Sequence, residues 1–306
     1  MSLALEALQD VLNSSNIKSR KQVSLAEFST IRAGGACAIA VYPKGISELT
    51  FIISVIRRLG LDYVVLGGGS NLLPCDGKFE GVVIKTTEMK AYSEAECSVS
   101  FLCGARLSYA DTILKRKFGF GLPRLCGIPG TVGGAVCGNA GAYGDEMSNH
   151  LIRCTVLDTK AGKMYSLTAS DIAPAYRYTA LKDSELILLD CELSADITDG
   201  DDNAVRLECK AKRLASQPIA LPSLGSYFKR AGGVGAGYYI DRAGLKGYRV
   251  GGALVSAVHA GFIVNSGGAT ASQIEALSRS IKENVKNKFG IELAEEIRYF
   301  RDIIRR

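Results

Sequence analysis

The sequence predicts an α+β fold, and three observations carry that prediction. Short apolar runs bounded by glycine or polar turns, such as CAIAVYP (37–43) and YVVL (63–66), have the length and composition of strands. Other segments repeat apolar residues at spacings of three and four, the signature of amphipathic helices. Glycine, 34 of 306 residues, is clustered in loops rather than spread along the chain. The composition, 47% hydrophobic and 22% charged, is globular and excludes a mostly disordered chain. No apolar run reaches the ~18 residues of a transmembrane helix. The length lies near the ~250–300 residues at which single cores divide, so several units are expected.

The elements follow in order. Leu5, Leu8, Val11 and Leu12 share one face, so the first fifteen residues read as a helix. After the strand at 37–43, Ile46, Leu49, Ile52, Ile53 and Ile56 mark an amphipathic helix ending at Gly60. The strand 63–66 then runs straight into GGGSN (67–71), which puts a glycine loop at the C-terminal end of a strand, where open α/β sheets bind ligands. Strands are expected in GVVIKTT and SVSFLCG between 81 and 104, a helix near 106–118, and strands at 151–158 and 185–193. The acidic, apolar-poor run 196–203 (DITDGDDN) is the best domain boundary, and Asn203 is a suitable cap for a helix reaching about residue 215. A short helix near 238–243, a long one at 272–288 carrying Ile274, Leu277, Ile281 and Val285, and a strand in EEIRYF complete the chain. Units at 1–78, 79–199 and 200–306 are expected.

Charge and cysteine usage narrow the function. A net charge of +6 is too mild to argue for nucleic acid but suits small polyanionic ligands. The N-terminal stretch carries Glu6 and Asp10 among its apolar positions and lacks a basic flank, unlike a signal peptide, so a cytoplasmic protein is expected. The nine cysteines include no CxxC pair and so no zinc-knuckle spacing, and their odd number without an export signal points to reduced thiols. Cys126 and Cys137 flank the most glycine-rich motif and read best as small apolar filler.

Three glycine loops are the main functional signal: GGGSN, GIPGTVGG (127–134) and NAGAYG (139–144). Backbone N–H groups in such turns form anion nests, and glycine admits a pyrophosphate to hydrogen-bonding distance. Neither GxGxxG nor GxxxxGK[ST] is present, which disfavours a Rossmann dehydrogenase and a P-loop NTPase. A lone GGGS is more often a plain turn; three such loops are hard to dismiss.

The ordered set GGGSNLL (67–73), GIPGTVGG, NAGAYG, YR (176–177), LPSLGSYFK (221–229), GLKGYRVGGALVS (244–256) and EEIR (295–298) resembles the UDP-N-acetylenolpyruvoylglucosamine reductases, also called UDP-N-acetylmuramate dehydrogenases. The likeness runs from about Ser29 to Phe300, and the short stretch between Arg177 and Ser226 resembles the shorter subclass. It implies the two-subdomain FAD-binding fold of the vanillyl-alcohol oxidase and p-cresol methylhydroxylase type, with a third α/β domain for substrate. It also implies non-covalent FAD, NADPH as hydride donor, a UDP-sugar substrate and a place in peptidoglycan synthesis, in a monomer that binds neither nucleic acid nor membrane.

By resemblance, FAD is bound by Gly67, Gly68, Gly69, Ser70 and Asn71, by Gly127, Ile128, Pro129, Gly130, Thr131, Gly133 and Gly134, and by Asn139, Gly141 and Tyr143. Arg177 and Glu296 polarise the substrate carboxylate and Ser226 donates a proton. Arg213, Lys229, Arg230, Lys246 and Arg298 are candidates for the diphosphate, with Arg213, Lys246 and Arg298 favoured and tuning of Ser226 the alternative role for Lys229. Glu296 helps only if it does not repel the substrate, so a raised pKa is expected. Taken singly, each of these residues reads as a surface charge or a turn; the ordered context reverses that. His150 and His259 read as structural, and Tyr238 and Tyr239 either stack on the uracil or pack in the core. Three departures stand out: Thr179 where the family commonly has Ser, IRAGG (31–35) for Arg-Ile-Gly-Gly, and the glycine-rich stretch 231–237 after Arg230, where a looser loop is expected. The rival readings are another FAD oxidoreductase of the same fold, acting on a sugar or alcohol, and a non-enzymatic FAD-binding or UDP-sugar-binding module.

Overall fold

A computed structural model describes residues 2–195 and 201–306. The first helix, Leu3–Ser14, buries Leu5, Leu8 and Leu12, as its spacing requires. Helix Ile46–Arg58 buries Leu49, Ile52, Ile53 and Ile56, and Gly60 turns left-handed just beyond it (φ 63°). This helix lies between two strands of a four-stranded sheet ordered Ser19–Ser24, Ala36–Val41, Lys78–Lys85, Tyr63–Leu66. The first pair is antiparallel and the rest parallel. Strand Lys78–Lys85 sits inside this sheet, so the first unit's sheet reaches past residue 78.

The second sheet has five antiparallel strands, in the order Lys163–Thr168, Leu151–Asp158, Leu186–Leu193, Val99–Leu102, Tyr92–Glu94. One apolar core runs from Leu5 through Ile84 to Leu193, so these two sheets share their interior. A third sheet, Ser223–Ser226, Phe262–Asn265, Ala253–Val255, Arg249–Val250, builds a separate core with helix Ala271–Phe289. That helix carries a capping box of Thr270 and Gln273. Asp76, from the first unit, accepts hydrogen bonds from its first two N–H groups at 2.6 and 2.8 Å. The cap therefore ties the third unit to the first.

Several expectations need correction. The proposed boundary residues 196–200 lie outside the described residues. The helix after them is Asp202–Ser216, capped by Asp201 rather than Asn203, because the Asp201 carboxylate accepts from the Asn203 N–H at 2.8 Å. EEIRYF is a strand only at Arg298–Tyr299, which pairs in parallel with Leu72–Leu73; Phe300 begins a tight turn that buries its ring 5.0 Å from Phe79. The stretch after Arg230 is not loose. Ala231 and Val234 exchange backbone hydrogen bonds of 2.9 and 3.0 Å, and Gly232 and Gly233 take the left-handed conformations this turn needs.

Candidate active site

Strand Tyr63–Leu66 ends at the first glycine loop, which is built by close backbone contact. A Cβ on Gly68 would stand 2.7 Å from Gly130 Cα, and one on Gly69 (φ 72°) would stand 1.7 Å from the Phe28 carbonyl oxygen. Ser70 Oγ donates to the Pro129 carbonyl at 2.7 Å. The first two glycine loops thus pack backbone on backbone, and no residue with a side chain fits at Gly68 or Gly69. A cleft of about 530 Å³ opens beside them, lined by Gly68, Ser29, Thr30, Arg32, Ala26 and Glu27. Two loops whose backbones meet without side chains at Gly68 and Gly69, beside a cleft of this size, fit the diphosphate and body of a flavin dinucleotide.

The second loop leads into a helix that its glycines hid from the sequence pattern, Val132–Cys137, with the Thr131 hydroxyl accepting from the Gly134 N–H. Gly133 lies so close to Cys103 that a Cβ would meet its Cβ at 2.7 Å. In the third loop, fully buried Asn139 donates to the Ala175 carbonyl and accepts from the Ser148 N–H, both at 3.0 Å. This fixes the third loop against the segment that carries Arg177. Thr179 completes the link, its hydroxyl donating to the Cys137 carbonyl at 2.8 Å. Threonine does here what the commoner serine's hydroxyl can do.

Arg177 is held in the left-handed conformation (φ 57°), rare for a residue with a side chain. Its Nε donates to Glu296 at 2.9 Å and its Nη2 to the Gly141 carbonyl at 2.6 Å. Glu296 is placed by its backbone: its N–H donates to the Tyr227 carbonyl at 2.9 Å, and its carbonyl accepts from the Asn71 side chain at 3.1 Å. Burial pushes the Glu296 carboxyl upward from its ordinary range, against the pull of Arg177, Lys182 and Lys229. Ser226 is exposed at the end of its strand, next to the Tyr227 that receives the Glu296 N–H. The structure therefore brings Arg177, Glu296 and the Ser226 segment together beside the glycine loops.

The basic residues separate into two groups. Lys229 runs beside the Glu296 segment, its N–H donating to the Ala294 carbonyl at 2.8 Å. Arg298 donates to the Lys182 carbonyl at 2.9 Å, and the Arg213 guanidinium lies where a Cβ on Gly127 would meet it at 3.0 Å. Lys246 instead pairs with Asp241 at 2.7 Å on the short helix Ala236–Arg242, and Arg230 points into solvent. Tyr239 packs against the core of the third sheet near Phe289, whereas Tyr238 is exposed. His150 is buried on Asp145 at 2.8 Å, and His259 accepts the Gly261 N–H at 3.0 Å, both structural contacts. Burial pushes the Cys137 thiol up to about 11 and the Cys126 thiol upward, so neither is a ready thiolate.

Sequence reasoning missed Lys182. Its Nζ donates to the Arg177 carbonyl at 3.3 Å, and burial together with Arg298 and Lys229 lowers its pKa. Only its place five residues after Arg177 hinted at this.

Residues 217–300 match the C-terminal domain of UDP-N-acetylenolpyruvoylglucosamine reductase, and residues 37–168 match an FAD binding domain. The UDP-N-acetylenolpyruvoylglucosamine reductase of Caldicellulosiruptor saccharolyticus is 38% identical over 287 residues, which cover 93% of this chain and 92% of that one. The chain belongs to the UDP-N-acetylenolpyruvoylglucosamine reductase family. The reductase of Listeria innocua is 37% identical over 275 residues, covering 90% and 92%. The crystal structure of the reductase from Thermus caldophilus superposes with a TM-score of 0.77 at 29% identity, over 92% of this chain and 99% of the other. Membership in the reductase family agrees with the two parts described above, a glycine-loop half and a separate C-terminal core. Among the described residues, no helix is long and apolar enough to cross a membrane.

Proposed function

We propose that this chain is the NADPH-dependent flavoenzyme that reduces UDP-N-acetylglucosamine enolpyruvate to UDP-N-acetylmuramate, a step of peptidoglycan synthesis. The observation that supports it best is the Arg177–Glu296 pair, held at 2.9 Å beside three glycine loops with the Ser226 segment alongside. Bound FAD supplies the hydride after NADPH has recharged it. The chain's own residues must solve what remains. Hydride arriving at the terminal carbon of a vinyl group conjugated to a carboxylate drives a second negative charge onto that carboxylate, and fixed donors there stabilise it.

Arg177 is suited to that task. With Nε on Glu296 and Nη2 on Gly141, its Nη1 is the edge left to receive a carboxylate. Glu296, with its carboxyl shifted upward, holds a proton more readily than an exposed glutamate and in that form donates to the substrate rather than repelling it. Ser226 donates the proton to the adjacent carbon, with Lys229 close enough to Glu296 to share the same field. Gly67–Asn71, Gly127–Gly134 and the Asn139–Tyr143 stretch hold FAD, and Arg213 and Arg298 are the best placed of the basic residues for the diphosphate. The three expected units, 1–78, 79–199 and 200–306, are kept as functional units, with the first boundary moved past residue 85 because strand Lys78–Lys85 belongs to the first sheet. A cytoplasmic monomer belongs to the same reading.

The test is direct. The purified protein is expected to be yellow, to be bleached anaerobically by NADPH, and to regain its colour when the enolpyruvyl substrate is added. Heat or acid precipitation leaves the flavin in the supernatant. Failure of the enolpyruvyl compound to reoxidise the bleached protein, with a sugar or alcohol reducing it instead, would overturn the assignment in favour of an oxidase of the same fold.

A further inference from the structure

Lys85 ends the central strand Lys78–Lys85 and lies opposite Leu66 in parallel register, directly behind the first glycine loop. It is 7% exposed. Its Nζ donates to the Gly67 carbonyl and sits 5.5 Å from the centre of the Phe28 ring. Phe28 is also the residue whose carbonyl Gly69 approaches most closely. Among the described residues no carboxylate lies within ion-pair distance of Lys85. A buried ammonium supported by one carbonyl and one aromatic face is costly, because buried cations are ordinarily paired. The loop in front of it presents backbone N–H groups suited to an anion. A buried cation without a countercharge therefore stands directly behind a candidate anion nest.

We propose that Lys85 is the buried countercharge for the diphosphate of the bound dinucleotide, acting through the glycine loop it supports from behind. The proposal rests on the flavin reading above. In the flavin-free protein, burial lowers the Lys85 pKa to about 8. A diphosphate in the nest restores it towards the ordinary value for lysine, about 10.4. Between those two values binding takes up a proton, so affinity falls as pH rises above about 8. The neighbouring titratable groups do not compete. Glu27, beside Phe28, pairs with Arg20; Glu88, on the turn after Lys85, pairs with Lys18. Burial keeps the Tyr42 phenol and the Cys103 thiol, the latter pushed up to about 12, neutral through this range.

The experiment strips flavin from the full chain and measures FAD binding by quenching of flavin fluorescence between pH 7 and 9.5. Calorimetry in two buffers of different ionisation enthalpy counts the protons taken up. Wild type is expected to lose affinity above pH 8 and to take up a proton. Lys85→Met is expected to bind about tenfold more weakly at pH 7, with no pH slope. Lys85→Arg keeps the charge at every pH, so it is expected to retain affinity while losing the slope and the proton uptake; this comparison decides the matter even if Lys85→Met does not fold. Wild-type slope and proton uptake preserved in Lys85→Arg overturn the proposal alone. Wild-type protein that does not bind FAD at all overturns the flavin reading and the proposal with it.

Discussion

Replacing Arg177 by glycine and by alanine separates the catalytic role proposed for it from its backbone role. Arg177 holds φ at 57°, where a Cβ costs roughly 1–2 kcal/mol and glycine costs nothing sterically. Both substitutions lose the hydrogen bonds to Glu296 and Gly141, worth about 1.5–3 kcal/mol for a charged donor, and Glu296 limits that loss by taking a proton. Glycine alone also relieves the left-handed strain, partly offset by its larger unfolded-state entropy of about 0.5–1 kcal/mol. The glycine variant is therefore expected to be the more stable of the two by up to about 1 kcal/mol, roughly 2 °C in Tm for a chain of this size. That order is the reverse of the usual one. Loss of the guanidinium removes a donor from developing charge, so both variants should slow reoxidation of reduced flavin by substrate about 10²–10³-fold. Reduction by NADPH should change little. Stopped-flow absorbance resolves the two half-reactions, and thermal denaturation followed by circular dichroism gives the stability order. An alanine variant more stable than the glycine variant would refute the strained-backbone argument. Equal slowing of both half-reactions would show that Arg177 holds the fold or the flavin instead.

Three further predictions follow from the same site. Ser226→Ala should bind FAD and be reduced by NADPH, then stall by several orders of magnitude in reoxidation, while Ser226→Cys recovers part of the rate; a wild-type rate in the alanine variant removes Ser226 from the mechanism. Gly69→Ala forces a Cβ to within 1.7 Å of the Phe28 carbonyl at a left-handed position, so the protein should be purified colourless, with a lower Tm and weak FAD binding by fluorescence titration. Because burial raises the Glu296 pKa, the neutral form predominates at low pH and wild-type reoxidation should slow as pH rises through that value; Glu296→Gln is uncharged throughout and should flatten this limb of the profile, whereas an unchanged slope would assign the titration to another group.

The parts of the fold that were legible in the sequence are those set by local periodicity. The helices at Leu3–Ser14, Ile46–Arg58 and Ala271–Phe289 follow from apolar spacing, and the strand before GGGSN from its β-branched run. Helix Val132–Cys137 was not legible, because its glycines erase the propensity signal and it is held by contacts with Cys103 and Ala105 far away in the chain. EEIRYF reads as a strand by composition, but burial of Phe300 against Phe79 turns it after two residues. In the candidate site, ordered motifs single out Arg177, Glu296 and the Ser226 segment, which the structure places side by side. Lys182 and Lys85 carry no motif, and a lysine is read as solvated until its burial is seen.

The carboxylate of the site arrives from far along the chain. Glu296 meets Arg177 across 119 positions and the Asn71 side chain across 225. The segment around it then fastens onto parts made much earlier: Arg298 pairs with Leu72, and Arg305 exchanges backbone hydrogen bonds with Tyr63 at the sheet edge while its guanidinium grips the carbonyls of residues 184 to 186. As the polypeptide leaves the ribosome, all three glycine loops emerge well over a hundred residues before Glu296. An interrupted product would carry the three glycine loops but not the carboxylate that pairs with Arg177, and an edge of its first sheet would be bare. Exposed edges invite pairing with other chains. The same ten residues, Glu296 to Arg305, therefore both bring the carboxylate to the candidate site and cover the sheet edge that a half-made molecule would leave open to pairing.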